Sequence, residues 1–246
     1  MADYRFYLDR VLTKKKQQIG IAPADQVAYF NQSGTNYAQS PQVTTTGESF
    51  TVEFWTYLPD PTKDMWFVNQ RSSSSGSDRD WQIFRFGTTL KAIRGTIYNN
   101  INQIFGTERI LSDDYPPQDI WVHIALVVDN ANKIVRTYEN GVEAASRSFT
   151  GDINGSSPMR IGMIGWNVIS SLQLNGYMSE LRIWSKARTQ AEILSTINQQ
   201  VANNSTNLKC YIKFNEIIAG KFPDVTGNGY NATITGSIPI VNNPTI

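Results

Sequence analysis

The fold is decided by a stretch in the middle of the chain, Trp121-Val-His-Ile-Ala-Leu-Val-Val128, and by the residues directly after it. The run is rich in β-branched residues, which favour strands. A polar turn at 129–132 leads into a second strand-like run at 133–139. Asn140-Gly141 then gives the strongest short-range hairpin signal in the chain, because both residues tolerate positive φ. We therefore predict consecutive antiparallel strands here.

Short strand-like runs separated by turn residues continue on both sides of this region. The run from Phe50 to Leu58 alternates Phe50, Val52 and Phe54 with Thr51, Glu53 and Trp55, and it stops at Pro59-Asp60-Pro61. Such alternation predicts a strand with one buried face. Further runs of this kind lie at 81–86, 159–162, 178–184 and 209–214.

Helical periodicity is convincing in one segment only, Thr189 to Val201, where Ile193, Leu194 and Ile197 share one face. About a dozen strands with one helix predict an all-β fold. Its form would be a two-sheet antiparallel jelly-roll sandwich with one short helix in the C-terminal half.

Composition narrows the function classes. The chain has 246 residues with Lys+Arg 22 against Asp+Glu 21, and a net charge of +1 supplies no basic field for a nucleic-acid backbone. One cysteine excludes an internal disulfide, and one histidine excludes a histidine-rich metal centre. No run of about 20 apolar residues occurs, so we expect no membrane span.

The N-terminal segment differs from the rest of the chain. Residues 1–22 read as an arm or an edge strand, and 23–246 as a single domain. The arm either pairs with a sheet edge or docks on a partner, which includes a second copy in a homo-oligomer. It lacks the apolar core of a signal peptide, so we expect cytoplasmic synthesis; extracellular or virion-associated action stays open.

Several stretches, in order, resemble the laminin-G-like, concanavalin A-like jelly roll of lectins, pentraxins and many carbohydrate-binding modules. They cover about residues 26 to 236, and each is weak alone. The stretches are Val27–Tyr37, Phe50–Trp55, Trp121–Ala125 with Tyr138–Val142, Asn175–Trp184 with the helix after it, Tyr211–Glu216 and Asp224–Ala232. The resemblance implies the fold more strongly than an activity, because this architecture hosts lectins, adhesins and glycosidases.

The resemblance also implies a structural Ca²⁺ site in the Asp224-Val-Thr-Gly-Asn-Gly loop. Asp224 and Asn228 would supply oxygens, and Asn31 stands where the family often has Asp. Replacing that Asp by Asn removes a charge and should weaken the site. The alternative is a tight turn in which Asp224 accepts backbone amides.

Three polar loops combine aromatic rings with amides, the mixture that sugar binding needs. They lie at 69–81, 98–103 and 165–167. The candidate ligand-binding residues are Trp166, Asn167, Trp81, Asp80, Tyr98 and Asn100. Trp166 has polar neighbours and no alternation, so it is the best candidate for an exposed platform, whereas the strand residues Trp55, Trp121 and Trp184 are expected in the core.

Catalytic signals are weak. Jelly-roll glycosidases pair two carboxylates on one strand face, but Glu53, Glu180 and Glu216 each stand alone on a predicted strand. We expect His123 to be a buried histidine bonded to a backbone group, and Cys210 to be an inert core thiol.

These patterns predict a non-catalytic recognition module that binds glycans through loop aromatics and amides. The alternative is a structural or adhesive subunit of a virion, tail, toxin complex or surface, which would bind a protein partner through the arm or a sheet face. We predict no enzyme activity and no cofactor apart from the Ca²⁺ that the resemblance implies.

Overall fold

The computed structural model describes residues 24–32, 34–60, 62–72, 79–86, 92–98, 103–104, 119–165 and 167–245. The predicted arm at 1–22 and the candidate residues Asn100 and Trp166 lie outside these ranges.

The described chain forms two antiparallel sheets, as the sequence predicts. The strands are β1 (Gln26–Phe30), β2 (Tyr37–Ser40), β3 (Phe50–Tyr57), β4 (Met65–Arg71), β5 (Arg79–Phe86), β6 (Ala92–Tyr98), β7 (Gln103–Ile104), β8 (Trp121–Asp129), β9 (Ile134–Glu139), β10 (Val142–Ser148), β11 (Met159–Ile161), β12 (Gly176–Trp184), β13 (Leu208–Ile212), β14 (Lys221–Phe222), β15 (Ala232–Thr235) and β16 (Ile240–Asn242). Sheet I has the order β10-β9-β8-β3-β12-β1-β16, with β13 beside β12, and sheet II has the order β14-β15-β2-β11-β4-β5-β6-β7.

The main core lies between the sheets. Phe54 of sheet I meets Phe67 of sheet II with ring centroids 5.7 Å apart, and Phe50 meets Trp81 at 5.8 Å. Apolar side chains at alternate strand positions supply both inner faces, because successive side chains point to opposite sides of a strand. This confirms the predicted sandwich.

Strand β3 is buried at every position, although its sequence alternates. Phe50, Val52 and Phe54 enter the main core. The opposite face is covered by helix α1 (Gln190–Thr196) and the residues after it, and the Trp55 indole donates a hydrogen bond to the carbonyl of Ile197 at 3.1 Å. The polar positions of the strand therefore face a second, covered layer and not water.

Helix α1 is shorter than the predicted 189–201. It begins after Thr189, whose hydroxyl and the Glu192 carboxylate form a reciprocal capping box. Ile193 and Ile197 are buried as predicted, but placing Leu194 on the apolar face was wrong, because its side chain is 49% exposed.

The predicted hairpin is confirmed. Strand β8 pairs with β9, and β9 pairs with β10 from Val142 against Glu139. Asn140 and Gly141 have φ values of 49° and 76°, the left-handed conformation that two-residue hairpin turns require.

Candidate functional site

Trp81 and Asp80 do not offer surfaces to an external ligand, which corrects the sequence prediction. Trp81 is completely buried in the main core, where its indole donates to the Thr44 hydroxyl at 2.9 Å. Asp80 is also buried, and its Oδ2 accepts hydrogen bonds from the backbone amides of Ser156 and Ser157 at 2.9 and 2.8 Å. Both side chains therefore connect the end of sheet II to neighbouring segments within the protein.

The buried position of Asp80 is electrostatically unfavourable for the charged form of its carboxyl group. Burial raises its pKa, and the amides of Ser157 and Ser156 and the side chain of Gln70 counteract that rise. The Gln70 amide also reaches the carbonyl of Thr44, so it connects the strand to the neighbouring loop. These hydrogen bonds connect β4 and β5 to the neighbouring loops, so the role of Asp80 is structural.

Tyr98 and Asn167 lie at the outer face of sheet II, the side away from the main core. Tyr98 is buried, and its hydroxyl accepts a hydrogen bond from the Gln82 amide at 2.9 Å. Burial also raises the pKa of Tyr98. Asn167 is exposed, and its carbonyl accepts a bond from Arg160 at 3.4 Å.

A row of polar side chains crosses this outer face at one level of the strands. Register places Gln39 opposite Arg160, Arg160 opposite Asn69, Asn69 opposite Gln82, and Gln82 opposite Thr96. Directly opposed side chains in an antiparallel pair lie on the same face of the sheet. The row is therefore continuous across β2, β11, β4, β5 and β6.

Arg160 occupies the more open end of this row. Its guanidinium lies over the Tyr37 ring, with Cζ 4.4 Å from the ring centroid. Nη2 donates to Gln39 at 3.1 Å, and Nη1 donates to the carbonyl of Ile164 at 3.0 Å. Arg160 thereby links the sheet to the chain segment that follows β11.

Arg71, Arg79 and Tyr98 form the other end of the face. Both guanidinium groups lie over the Tyr98 ring, with Cζ at 5.7 Å for Arg71 and 4.6 Å for Arg79. Arg71 also donates to Gln82 at 2.9 Å. Burial, followed by the charge of neighbouring Arg79, lowers the pKa of Arg71, while the Tyr98 hydroxyl acts in the opposite direction.

This arrangement suits hydroxyl-rich molecules. Amides donate and accept the hydrogen bonds that hydroxyl groups make, guanidinium groups donate them, and aromatic rings supply apolar faces. Gln39, Tyr37 and Arg160 are partly exposed, so the open part of the face lies around Arg160 and its contacts with Ile164 and Asn167.

The hydrogen bonds of the Asp224 loop are those of a tight turn, the alternative to a calcium site. Oδ1 accepts from the amides of Tyr211 and Thr226 at 3.0 and 3.1 Å, and Oδ2 accepts from the amide of Tyr230 at 3.1 Å. The Thr226 hydroxyl approaches both oxygens. Gly227 and Gly229 have positive φ, as the turn requires.

These residues do not fit a calcium site. The Asp224 oxygens face N–H and O–H donors, the reverse of what a cation needs. The Asn228 amide nitrogen donates to the carbonyl of Lys209, and the Asn31 side-chain oxygen accepts from Asn36 at 2.8 Å. Within the described residues, no group of three or more His, Cys, Asp or Glu side chains is placed to hold a metal.

Sequence reasoning missed a buried charged cluster beneath α1. Glu53 and Glu180, expected to stand alone, are brought together around Arg182, because β3 and β12 are neighbours. Arg188 donates to both Glu53 oxygens at 2.8 and 2.9 Å, and Arg182 contacts Glu180 at 2.7 Å. Each carboxylate is thus paired with guanidinium and buried, which is a structural arrangement.

His123 lies in the same cluster. Its burial is confirmed, and its Nε2 is 3.9 Å from Glu53 Oε2. The expected side-chain bond to the backbone is wrong, because Nδ1 has no hydrogen-bond partner in the described structure. Burial and the charges of Arg182 and Arg188 lower the pKa of His123 well below its usual value, so the imidazole is neutral. Cys210 is a buried free thiol, as predicted.

The chain belongs to the concanavalin A-like lectin/glucanases superfamily, through its Laminin_G_3 family, whose model matches residues 32–194. This confirms the resemblance drawn from the motifs. No curated protein sequence matches the chain.

Solved structures share the fold at low sequence identity. A candidate carbohydrate binding protein from Bacteroides ovatus is 19% identical with a TM-score of 0.67, over 91% of this chain and 61% of that one. A SAP-like pentraxin from Limulus polyphemus is 12% identical with a TM-score of 0.60, over 89% and 95%. Domain 4 of the arabinanase AbnA from Geobacillus stearothermophilus, solved with arabinotriose, is 20% identical with a TM-score of 0.53, over 73% and 81%.

The chain spans about three fifths of the Bacteroides ovatus protein, so the two differ in overall extent. In the described part of the chain, no helix is both long and apolar enough to cross a membrane.

Proposed function

We propose that this protein is a non-catalytic carbohydrate-binding module and that the outer face of sheet II holds the glycan. The observation that carries the proposal is the partly exposed group of Tyr37, Gln39 and Arg160, in which the Arg160 guanidinium lies over the Tyr37 ring and donates to Gln39. The neighbouring side chains Asn69, Gln82 and Tyr98 are buried and bond one another or the adjacent chain, so they support this group from below. Polar groups beside aromatic rings are the usual composition of a sugar site.

The other large face supports the proposal by contrast. On sheet I, helix α1 covers the Glu53–Arg182–Glu180 cluster, and the donors and acceptors of that cluster mostly bond one another. The two carboxylates there are closed off from a substrate, which is the physical reason for assigning binding and not hydrolysis.

Similar folds agree with this assignment. The Bacteroides ovatus protein is named for carbohydrate binding, and the AbnA domain was solved with arabinotriose. At identities of 19% and 20% they share the fold only, so the choice of glycan rests on the residues of this chain.

The full chain should be applied to a glycan array, and hits should be measured by titration calorimetry. We expect Trp166→Ala and Asn167→Ala to weaken binding about tenfold or more, since hydrogen bonds and ring contacts contribute about 1 to 1.5 kcal/mol each. Asn204→Ala, at an exposed site after α1, is the matched control and should bind normally.

All three variants should unfold within about 0.5 kcal/mol of the parent if Trp166 is the exposed platform that the sequence predicts. A large loss of stability in Trp166→Ala would show that this ring is part of the core. Absence of any glycan hit at high micromolar protein, together with a stable oligomer by light scattering, would instead favour the structural or adhesive subunit.

A further inference from the structure

The polar surface around Arg160 continues across the two strands that end sheet II. Register places Arg160 opposite Gln39 and Gln39 opposite Thr233. On the last strand, Lys221 lies opposite Thr233. Directly opposed side chains in an antiparallel pair share one face of the sheet. These four groups therefore form one row over β11, β2, β15 and β14.

A second, shorter row lies beside the first. Thr235 of β15 is opposite Tyr37 of β2, whose ring the Arg160 guanidinium covers. The residues between the two rows, Ala38 and Ile234, are opposite each other and pack in or against the main core. Because successive side chains of a strand point to opposite sides, both rows lie on the outer face.

The side chains toward β14 are open to solvent, unlike the buried part of this face. Lys221, Thr233 and Thr235 are exposed, and Gln39 is partly exposed. Among the described residues, the two threonine hydroxyls and the Lys221 ammonium have no hydrogen-bond or ion-pair partner. Gln39 uses its oxygen for Arg160, which leaves its amide nitrogen without a described partner. This edge thus holds uncommitted donors and acceptors.

The chemistry of the surface suits hydroxyl groups. The sequences of β2, β11, β14 and β15 are YAQS, MRI, KF and ATIT, without a carboxylate. A threonine hydroxyl donates and accepts, whereas an ammonium group and an amide nitrogen donate. A sugar hydroxyl both donates and accepts, so it can bond each of these groups.

A tight turn holds the backbone at Lys221. Ile218 and Lys221 exchange backbone hydrogen bonds of 2.9 and 3.0 Å, and Ala219 and Gly220 between them have φ values of 49° and 74°. The amide of Ile234 donates to the carbonyl of Gly220 at 3.0 Å, which fastens the turn to β15. A fixed backbone lowers the entropy that binding has to remove.

We infer that this edge of sheet II extends the glycan site and binds an internal stretch of a linear oligosaccharide that lies across β11, β2, β15 and β14. The inference rests on the proposed function and adds the form of the ligand. Arg160 and Lys221 are three strand spacings apart, about 14 Å, which a single sugar does not span. The hydroxyls of Thr233 and Thr235, the Gln39 amide and the Lys221 ammonium would bond successive sugars.

The surface has no wall at its β14 end. In the described structure β14 is the last strand of sheet II, and the exposed Lys221 side chain lies at its rim. A pocket closed at one end selects the terminal sugar of a chain, whereas an open surface lets the chain continue beyond it. We therefore assign an internal stretch and not a chain end.

The test is a length series of neutral oligosaccharides on the full chain. Linear glucan, xylan, mannan and arabinan fragments would be titrated as monosaccharide, disaccharide, tetrasaccharide and hexasaccharide. For at least one series, we expect the hexasaccharide to bind about tenfold or more tightly than the disaccharide, because it makes additional hydrogen bonds. Reducing the terminal sugar to its alditol should leave hexasaccharide binding unchanged.

Two substitutions locate the extension. Thr233→Val keeps the branched shape without the hydroxyl, and Lys221→Met keeps the chain length without the charge. Each should weaken hexasaccharide binding about fivefold and leave disaccharide binding unchanged, since the short ligand is held around Arg160. The matched controls Thr206→Val and Lys63→Met, at exposed positions in turns, should bind both ligands like the parent. Melting curves of all four variants should overlay that of the parent.

The outcomes separate the two proposals. Equal affinity for disaccharide and hexasaccharide, or unchanged hexasaccharide binding in both Thr233→Val and Lys221→Met, overturns the extension and leaves the glycan site around Arg160 standing. Failure of every series at about millimolar concentration, together with an empty glycan array, overturns both. A dimer by light scattering that Lys221→Met dissociates, with no glycan bound, would assign this edge to a second copy of the chain.

Discussion

The outer faces of the two sheets handle charge in opposite ways. On sheet I, Glu53 and Glu180 meet Arg182 and Arg188 in a buried layer, and α1 closes over them. On sheet II, Arg79 and Arg160 contact rings, amides and carbonyls, with no carboxylate at ion-pair distance in the described residues. Breaking a buried ion pair is costly because it leaves a charge without its partner, whereas Arg79 and Arg160 are paired with neutral groups among the described residues.

The largest expected effect comes from breaking the buried charged cluster beneath α1. Glu53→Gln leaves Arg188 and Arg182 buried without their shared carboxylate, so the free energy of unfolding should fall by about 3 to 5 kcal/mol. Urea denaturation measures it. Glu143→Gln on exposed β10 is the control and should cost less than about 1 kcal/mol.

Similar stability of the two variants would contradict a structural role for the cluster. Glycan affinity of folded Glu53→Gln should be unchanged, because the cluster lies on the opposite sheet from the proposed site.

A second, smaller effect tests the connection between the sheets. Asp224 accepts the amide of Tyr211 in β13 of sheet I, and its loop leads into β15 of sheet II. Asp224→Asn turns one accepting oxygen into a donor, so we expect a loss of about 2 to 3 kcal/mol. Asp60→Asn, in a more exposed turn with Thr62, should lose less.

Thermal melting of the parent protein with and without a chelator decides between the turn and the calcium site. Because Asp224 is bonded to N–H and O–H donors, a chelator should leave the melting temperature unchanged. A fall in the melting temperature on chelation, reversed by added Ca²⁺, would contradict this interpretation.

The smallest effect is a pH dependence assigned to one residue. His123 is the single histidine of the chain, and its pKa is lowered well below 6.5 in the folded state. The unfolded chain therefore takes up a proton below about pH 6.5 that the folded state does not, and stability should fall as pH falls, by about 1.4 kcal/mol between about pH 7.5 and 5.5.

Denaturation curves at the two pH values measure this difference, and His123→Gln should abolish it. A parent protein equally stable at both pH values would show that His123 is protonated beside Glu53 in the folded state.

The sequence predicts the sandwich well because local signals agree with it. Asn140-Gly141 encodes its own turn, and alternation in β3 identifies the core residues Phe50, Val52 and Phe54. The prediction from sequence fails for the other face of β3, because alternation does not reveal that α1 covers Trp55 and Glu53. Which element covers a strand face depends on packing between residues that are far apart in the sequence.

The candidate site was only partly predictable for a similar reason. Trp81 and Asp80 follow a polar loop, yet both turn inward. Arg160 and Gln39 are more than a hundred residues from each other, and register alone brings them together. Likewise, a β-bulge between Ser179 and Arg182, with Glu180 at a φ of 57°, aims the second carboxylate at the cluster, and no local pattern announces it.

The central claim is that sheet II binds the glycan and sheet I does not. NMR of the arginine side-chain Nε–H groups during titration with the tightest-binding oligosaccharide from the glycan array tests it most directly. We predict that the resonances of Arg79 and Arg160 shift with saturation while those of Arg182 and Arg188 stay in place. Shifts at Arg182 and Arg188 with none at Arg79 or Arg160 would contradict the account.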